Sequence, residues 1–157
     1  MPISFATSLE LDLLYARWSG VVRFDDFASN FEAYLNDLHY RPGRRELIDH
    51  SGLTNLDISF DMMRALLRTV NEQAPSIVVE THTVIYSPND TVYGVGRMYQ
   101  SLADLAEGIQ VEIFQDEVQA LAALELGQYS SIEAVLEQNE FQPSQRRDNS
   151  SSGAGAA

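Results

Sequence analysis

Asp49, His50 and Ser51 are the residue types of a hydrolase triad, and they stand together within the stretch from Leu47 to Ser59. A triad needs its histidine within hydrogen-bond reach of both the acid and the nucleophile. Neighbouring residues on a strand point to opposite faces, so His50 cannot serve both Asp49 and Ser51 there, and catalysis is not expected. No residue is assigned a catalytic role, and the chain is read as a non-enzyme. Ser59 offers different chemistry. At a helix start its hydroxyl accepts a backbone N–H, and a phosphate on it would sit at the positive end of the helix dipole beside Asp57 and Asp61.

Glu80 and His82 share a strand face and could supply two metal ligands, but no third or fourth ligand can be named, so no metal is expected. Gly94 and Gly96 have the spacing of two phosphate-loop glycines. Tyr99 occupies the third position and the segment lies inside a helical pattern, so no nucleotide or other cofactor is expected. Two glycines in a helix instead suggest close packing on the sheet or on another subunit. Met62, Met63 and Met98 with the aromatics Phe60, Tyr93 and Tyr99 could line a groove for an acyl chain or similar apolar ligand, because methionine adapts to irregular shapes, although core packing explains them as well.

The chain has 157 residues, enough for one core, and 45% of them are hydrophobic. No apolar run approaches the roughly 20 residues needed to cross a bilayer, and the start of the chain lacks a signal-peptide pattern, so a cytoplasmic protein is expected. The absence of cysteine excludes disulfides, thiolate metal sites and a cysteine nucleophile. The net charge of −13, with every basic residue an arginine, argues against nucleic acid and anionic membranes. Arg41, Arg44 and Arg45 form the nearest thing to a basic patch, and they read as a solvated turn around Pro42 and Gly43.

The positioning elements follow from periodicity. Residues 3–8 and 12–18 read as a β-hairpin. Asp25 or Asp26 starts a helix with Phe27, Phe31, Tyr34 or Leu35, and Leu38 on one face. Residues 45–50 make a short strand, a turn rich in small and acidic residues follows, and a second helix begins at Ser59 and ends before Pro75. Residues 78–86 are the best strand candidate, Asn89 or Asp90 caps a third helix that ends at Gly108, and residues 109–113 alternate as a strand. Asp116 starts a fourth helix with Val118, Leu121 and Leu124 inward. The class is α/β: an N-terminal hairpin, then repeated α-β units, giving a mostly parallel five-stranded sheet with about four helices. The domain is placed at 1–126, a short C-terminal helix within 127–142 and a disordered tail at 143–157.

On Asp49, Ser51, Gly52, Leu53, Asp57 and Ser59, the central stretch resembles the phosphorylatable turn of anti-sigma-factor antagonists, the STAS fold. There Asp-x-Ser-Gly-hydrophobic leads to Asp-Ser-Ser-Gly at a helix start; Ile58 and Phe60 depart from that pattern here. Through Trp18-Ser19-Gly20, Tyr40-Arg41-Pro42-Gly43, Tyr93-Gly94, Arg97-Met98-Tyr99 and Val111-Glu112-Ile113-Phe114, the wider chain is similar to the divergent bacterial STAS/SEC14-like branch over about residues 2–126. The resemblance implies a regulatory module that binds a kinase-like or other protein partner, with Ser59 as phosphoacceptor. Asp49, Ser51, Gly52, Asp57, Ser59, Phe60 and Met63 are then the candidate partner-binding residues. The alternatives are a carrier of a lipid or small apolar ligand, with Met62, Tyr93, Met98 and Tyr99 in its groove, and a structural homodimer.

Overall fold

The computed structural model describes residues 2–73, 80–103 and 109–148. The elements, in chain order, are β1 (Ile3–Ser8), β2 (Leu13–Arg23), α1 (Phe24–Leu35), β3 (Arg45–Asp57), α2 (Phe60–Gln73) and β4 (Thr81–Tyr86). They continue with α3 (Asp90–Ala103), β5 (Ile109–Phe114), α4 (Glu117–Ala123), α5 (Ile132–Gln138) and β6 (Gln142–Pro143). The α/β class holds, but the described sheet has six strands rather than five and there are five helices rather than four. The strand order is β5-β4-β3-β2-β1-β6. β2, β3, β4 and β5 run parallel to one another, while β1 pairs antiparallel with both β2 and β6. The ends of the expected second and third helix segments, at Pro75 and Gly108, and the first residues of the expected strand 78–86 lie outside the described residues.

Parallel β-α-β crossovers of one hand place α1, α2 and α3 on one face of the sheet. Leu14, Ala16, Trp18, Ile85, Val111 and Ile113 point into that layer. On the other face Leu13, Tyr15, Leu47 and Val84 pack against Ala120 and Leu121 of α4 and Ile132 and Val135 of α5. α4 and α5 are both held by side-chain caps: Asp116 accepts from the Gln119 N–H and Ser131 from the Ala134 N–H. Val118, expected inward, is 62% exposed, and Leu38 lies past the end of α1 at 47% exposure.

The largest departure from the sequence reading is at the expected turn after residue 50. β3 continues without interruption to Asp57, because β2 also runs on past Ser19 and Gly20 and offers it a partner. Register shifts between Arg17 and Ser19 and between Gly20 and Val21 absorb the irregularity, with Gly20 at φ +68°. Gly52 permits a close approach rather than a turn: a Cβ there would meet Ser19 Oγ at 3.1 Å.

The segment from 143, expected as tail, is held as far as residue 148. Thr7 and Ala6 pair with Gln142 and Pro143, and the Leu38 N–H donates to the Gln145 carbonyl at 2.7 Å. The buried Asp37 carboxylate accepts from the Gln145 N–H at 2.7 Å. The arginines expected in a solvated turn are bound instead. Arg41 and Arg44 both pair with Asp12, the latter at 2.6 Å, and Arg45 donates to the carbonyls of Leu11 and Leu124.

The two glycines of α3 do different work. A Cβ at Gly96 would lie 2.2 Å from Ile113 Cδ1, so this glycine lets α3 sit close to β5, whereas Gly94 is exposed with nothing within 4 Å of the same position. Glycine in a helix interior costs backbone entropy with no compensation where the surroundings are open. Gly94→Ala is therefore expected to stabilise the fold by about 0.5–1 kcal/mol. Urea unfolding followed by circular dichroism checks this, and an unchanged midpoint would contradict it.

Candidate functional site

A cavity of about 220 Å³ lies between α1 and the sheet. Its roof is the apolar face of α1, with Phe27, Phe31, Tyr34 and Leu35 at the spacing of one helix side. Its floor is the alternate set of strand residues that β3 and β4 turn the same way, Glu46, Ile48 and His50 with Thr81, Thr83 and Ile85. Trp18 closes one side, and Met63 of α2 and Gly96 of α3 close another. No residue of α1 is fully buried, even though the helix lies over the sheet. Its aromatic face is half-buried: Phe27 and Tyr34 meet Trp18 and Phe5 edge to face, and the same face also borders the cavity.

Two titratable side chains, Glu46 and His50, stand in the floor beside Thr81 and Thr83. Glu46 accepts a hydrogen bond from Thr83 Oγ1 at 2.8 Å, and burial raises its carboxyl above the usual carboxylate range, with the Thr83 bond opposing the shift. His50 is 3% exposed, and neither ring nitrogen has a hydrogen-bond partner among the described residues. Its ring lies 4.8 Å from that of Trp18. Burial pushes His50 down to about 4, with the charge of Asp49 opposing, so the imidazole is neutral at pH 7. Tyr34 and Tyr40 meet edge to face at 5.0 Å, and burial followed by the nearby Glu46 raises both phenols. Arg44, also on the lining, donates to Asp12 and to the His39 carbonyl while its Nε has no partner.

Asp49 and His50 diverge as strand geometry requires. Asp49 faces the opposite layer, where it accepts from Tyr15 Oη at 2.6 Å and from the Ser51 N–H at 2.8 Å. At 4% exposure it cannot meet a protein partner, and Met63, at 2%, cannot either. Ser51, Asp57, Ser59 and Phe60 are exposed and Gly52 is half-buried. Asp57 lies 3.8 Å from Arg23, and Arg64 stacks its guanidinium over Phe60 at 5.2 Å. Ser59 Oγ accepts from the Met62 N–H at 3.2 Å and so caps α2.

Of the groove residues expected from sequence, Tyr93 and Met98 share one apolar layer and Met62 does not join them. Met62 points outward at 44% exposure, while Tyr93 and Met98 pack on the layer containing Ile85 and Val111. The Tyr99 side chain lies outside the described residues. Glu80 is exposed, and His82 pairs with Glu112 at 2.6 Å. Among the described residues no three histidine or acidic side chains are grouped to hold a metal. The cavity residues Trp18, Phe27, Phe31, Tyr34, Glu46 and His50 were missed as a site because most read as ordinary core. The available signal was Glu46 and His50 flanking Ile48 at two-residue steps, two polar groups on one inward face of a central strand.

A buried neutral histidine makes stability depend on pH. Because its folded pKa of about 4 lies below the unfolded 6.5, the unfolded chain takes up the proton first, and stability present above pH 6.5 is lost as pH falls toward 4. The shift corresponds to a loss on the order of 3 kcal/mol. Glu46 acts in the opposite sense, its contribution being present below pH 4.5 and lost on raising the pH through its elevated value. His50→Phe is expected to flatten the fall in stability between pH 7 and pH 4 relative to wild type. Chemical denaturation of both proteins across that range measures it, and parallel profiles would contradict it.

Compared with models of protein families and with curated proteins, the chain matches none.

Proposed function

We propose that this chain is a binding protein for a small apolar molecule, held in the cavity beneath α1 without turnover. The observation that carries the reading is a space of about 220 Å³ with an aromatic roof and a floor in which Glu46 and His50 stand among Ile48, Ile85 and two threonines. Binding sites combine an apolar lining with a few placed polar groups, the combination found here. For scale, a dry cavity of about 150 Å³ accepts benzene. The order of a hairpin followed by α-β repeats supports reading the fold as STAS-related, with ligand binding as its activity here.

The neutral dye phenylnaphthylamine, which brightens in apolar surroundings, is expected to bind at one site. Trp18, the only tryptophan, borders the cavity and should transfer excitation to it. Thr81→Phe places a ring into the cavity from the half-buried start of β4 and is expected to weaken dye binding at least tenfold while the melting temperature holds. Undiminished binding by a folded Thr81→Phe would overturn the assignment.

A second reading keeps a protein partner at the start of α2. Exposed Ser59 is followed by Phe60 at 41% and Met62 at 44% exposure, an apolar edge beside a modifiable hydroxyl. Phosphate on Ser59 would add charge to that edge and change what docks there. Mass-spectrometric mapping of the protein from its own cells is expected to find phosphate on Ser59; an unmodified Ser59 under all growth conditions sampled would remove this reading.

A further inference from the structure

The position of His50 narrows the class of ligand. It stands four residues from Glu46 on one face of β3, about 13 Å along the strand, with Ile48 between them, so the cavity floor is polar at two points and apolar between. A buried polar group without a partner costs free energy, and most such groups in native proteins are satisfied by protein, water or ligand. His50 has none among the described residues, and its ring is held beside Trp18 on the lining of the space that a ligand would fill.

We propose that His50 is the polar anchor of the site and that the ligand is a small uncharged molecule, a substituted ring or short chain bearing one hydroxyl group, hydrogen-bonded through that hydroxyl to a ring nitrogen of His50. This rests on the reading of the cavity as a ligand site. A neutral imidazole presents one N–H donor and one acceptor, and the tautomer can exchange which nitrogen carries the proton. A hydroxyl donates and accepts, so it can meet whichever nitrogen faces the cavity. A carboxylate can only accept, gains most from an imidazolium that burial disfavours, and would share the cavity with Glu46, while the lining cations Arg41 and Arg44 are already paired with Asp12. An ammonium would have to leave its hydration for a lining that is mainly Trp18, Phe27, Ile48 and other apolar groups, with Glu46 as its one acidic neighbour.

Four probes of one shape test this by calorimetry at pH 7: ethylbenzene, para-ethylphenol, para-ethylbenzoate and para-ethylbenzylamine. The phenol is expected to bind about tenfold tighter than ethylbenzene, the value of one net hydrogen bond, with both ions weaker than either. His50→Phe keeps an aromatic ring against Trp18 while removing the nitrogens, and should abolish the preference for the phenol over ethylbenzene, read as the ratio of the two affinities within the variant. Equal affinity of wild type for phenol and ethylbenzene, tighter binding of either ion, or a phenol preference that survives in folded His50→Phe would overturn the anchor and leave the cavity reading standing. Failure of all four probes to bind wild type would overturn the cavity reading itself. The ranking in wild type stands as a test even if His50→Phe does not fold.

Discussion

The pairing of β3 between β2 and β4 is the constraint on which the rest of the molecule depends. Parallel neighbours on both sides give β3 no exposed edge over Glu46 to Asp49, so its side chains can go only up or down. Leu47 and Asp49 go one way and Glu46, Ile48 and His50 the other. Each face then needs a cover, and the crossovers that make the strands parallel supply α1, α2 and α3 to one face. The other face is covered by α4 and α5, which come after the last parallel strand.

The two covers are finished differently. Beneath α4 and α5, Leu13, Leu47, Leu121, Leu124 and Leu126 are essentially inaccessible, and the buried acid there, Asp49, is satisfied by Tyr15 and the Ser51 N–H. Beneath α1 the layer is left open, with Glu46 bound only to Thr83 and His50 bound to nothing among the described residues. A domain needs one well-packed layer to define its fold, and it can leave the second incomplete where the opening serves binding. The same strand therefore contributes a rigid structural acid and, one residue later, an unsatisfied base.

Several interactions outside the core keep that opening in shape. Asp12, at the tip of the β1–β2 hairpin with φ +51°, draws in Arg41 and Arg44 from the loop that borders the cavity. Arg45 ties the start of β3 to the carbonyls of Leu11 and Leu124, so one side chain links the hairpin to the end of α4. Asp37 holds the segment after β6 against the end of α1. The bonds of Arg44, Arg45 and Asp37 are charge-assisted and partly buried, stronger and more directional than an exposed ion pair such as Arg41 with Asp12. They fix a loop that packing alone does not hold.

Much of the fold was legible because it depends on local pattern. The β1–β2 hairpin, the aromatic face of α1, the caps at Ser59, Asn89, Asp116 and Ser131 and the alternation of β5 all follow from residue type and spacing. The end of β3 was not legible, because small and acidic residues at 49–57 have turn propensity that parallel pairing with an equally extended β2 overrides. β6 was missed because two residues of strand exist only through their partner β1. The sequence by itself determined the α/β alternation, the inward faces and the divergence of Asp49 from His50, since these are consequences of backbone geometry. Tertiary structure alone decided that α1 stands off the sheet, that Met62 faces outward and Met63 inward, and that Glu46 and His50 open into one space. Those outcomes depend on how far apart two packed layers come to rest, a distance set by the sum of all contacts between them and carried by no local pattern.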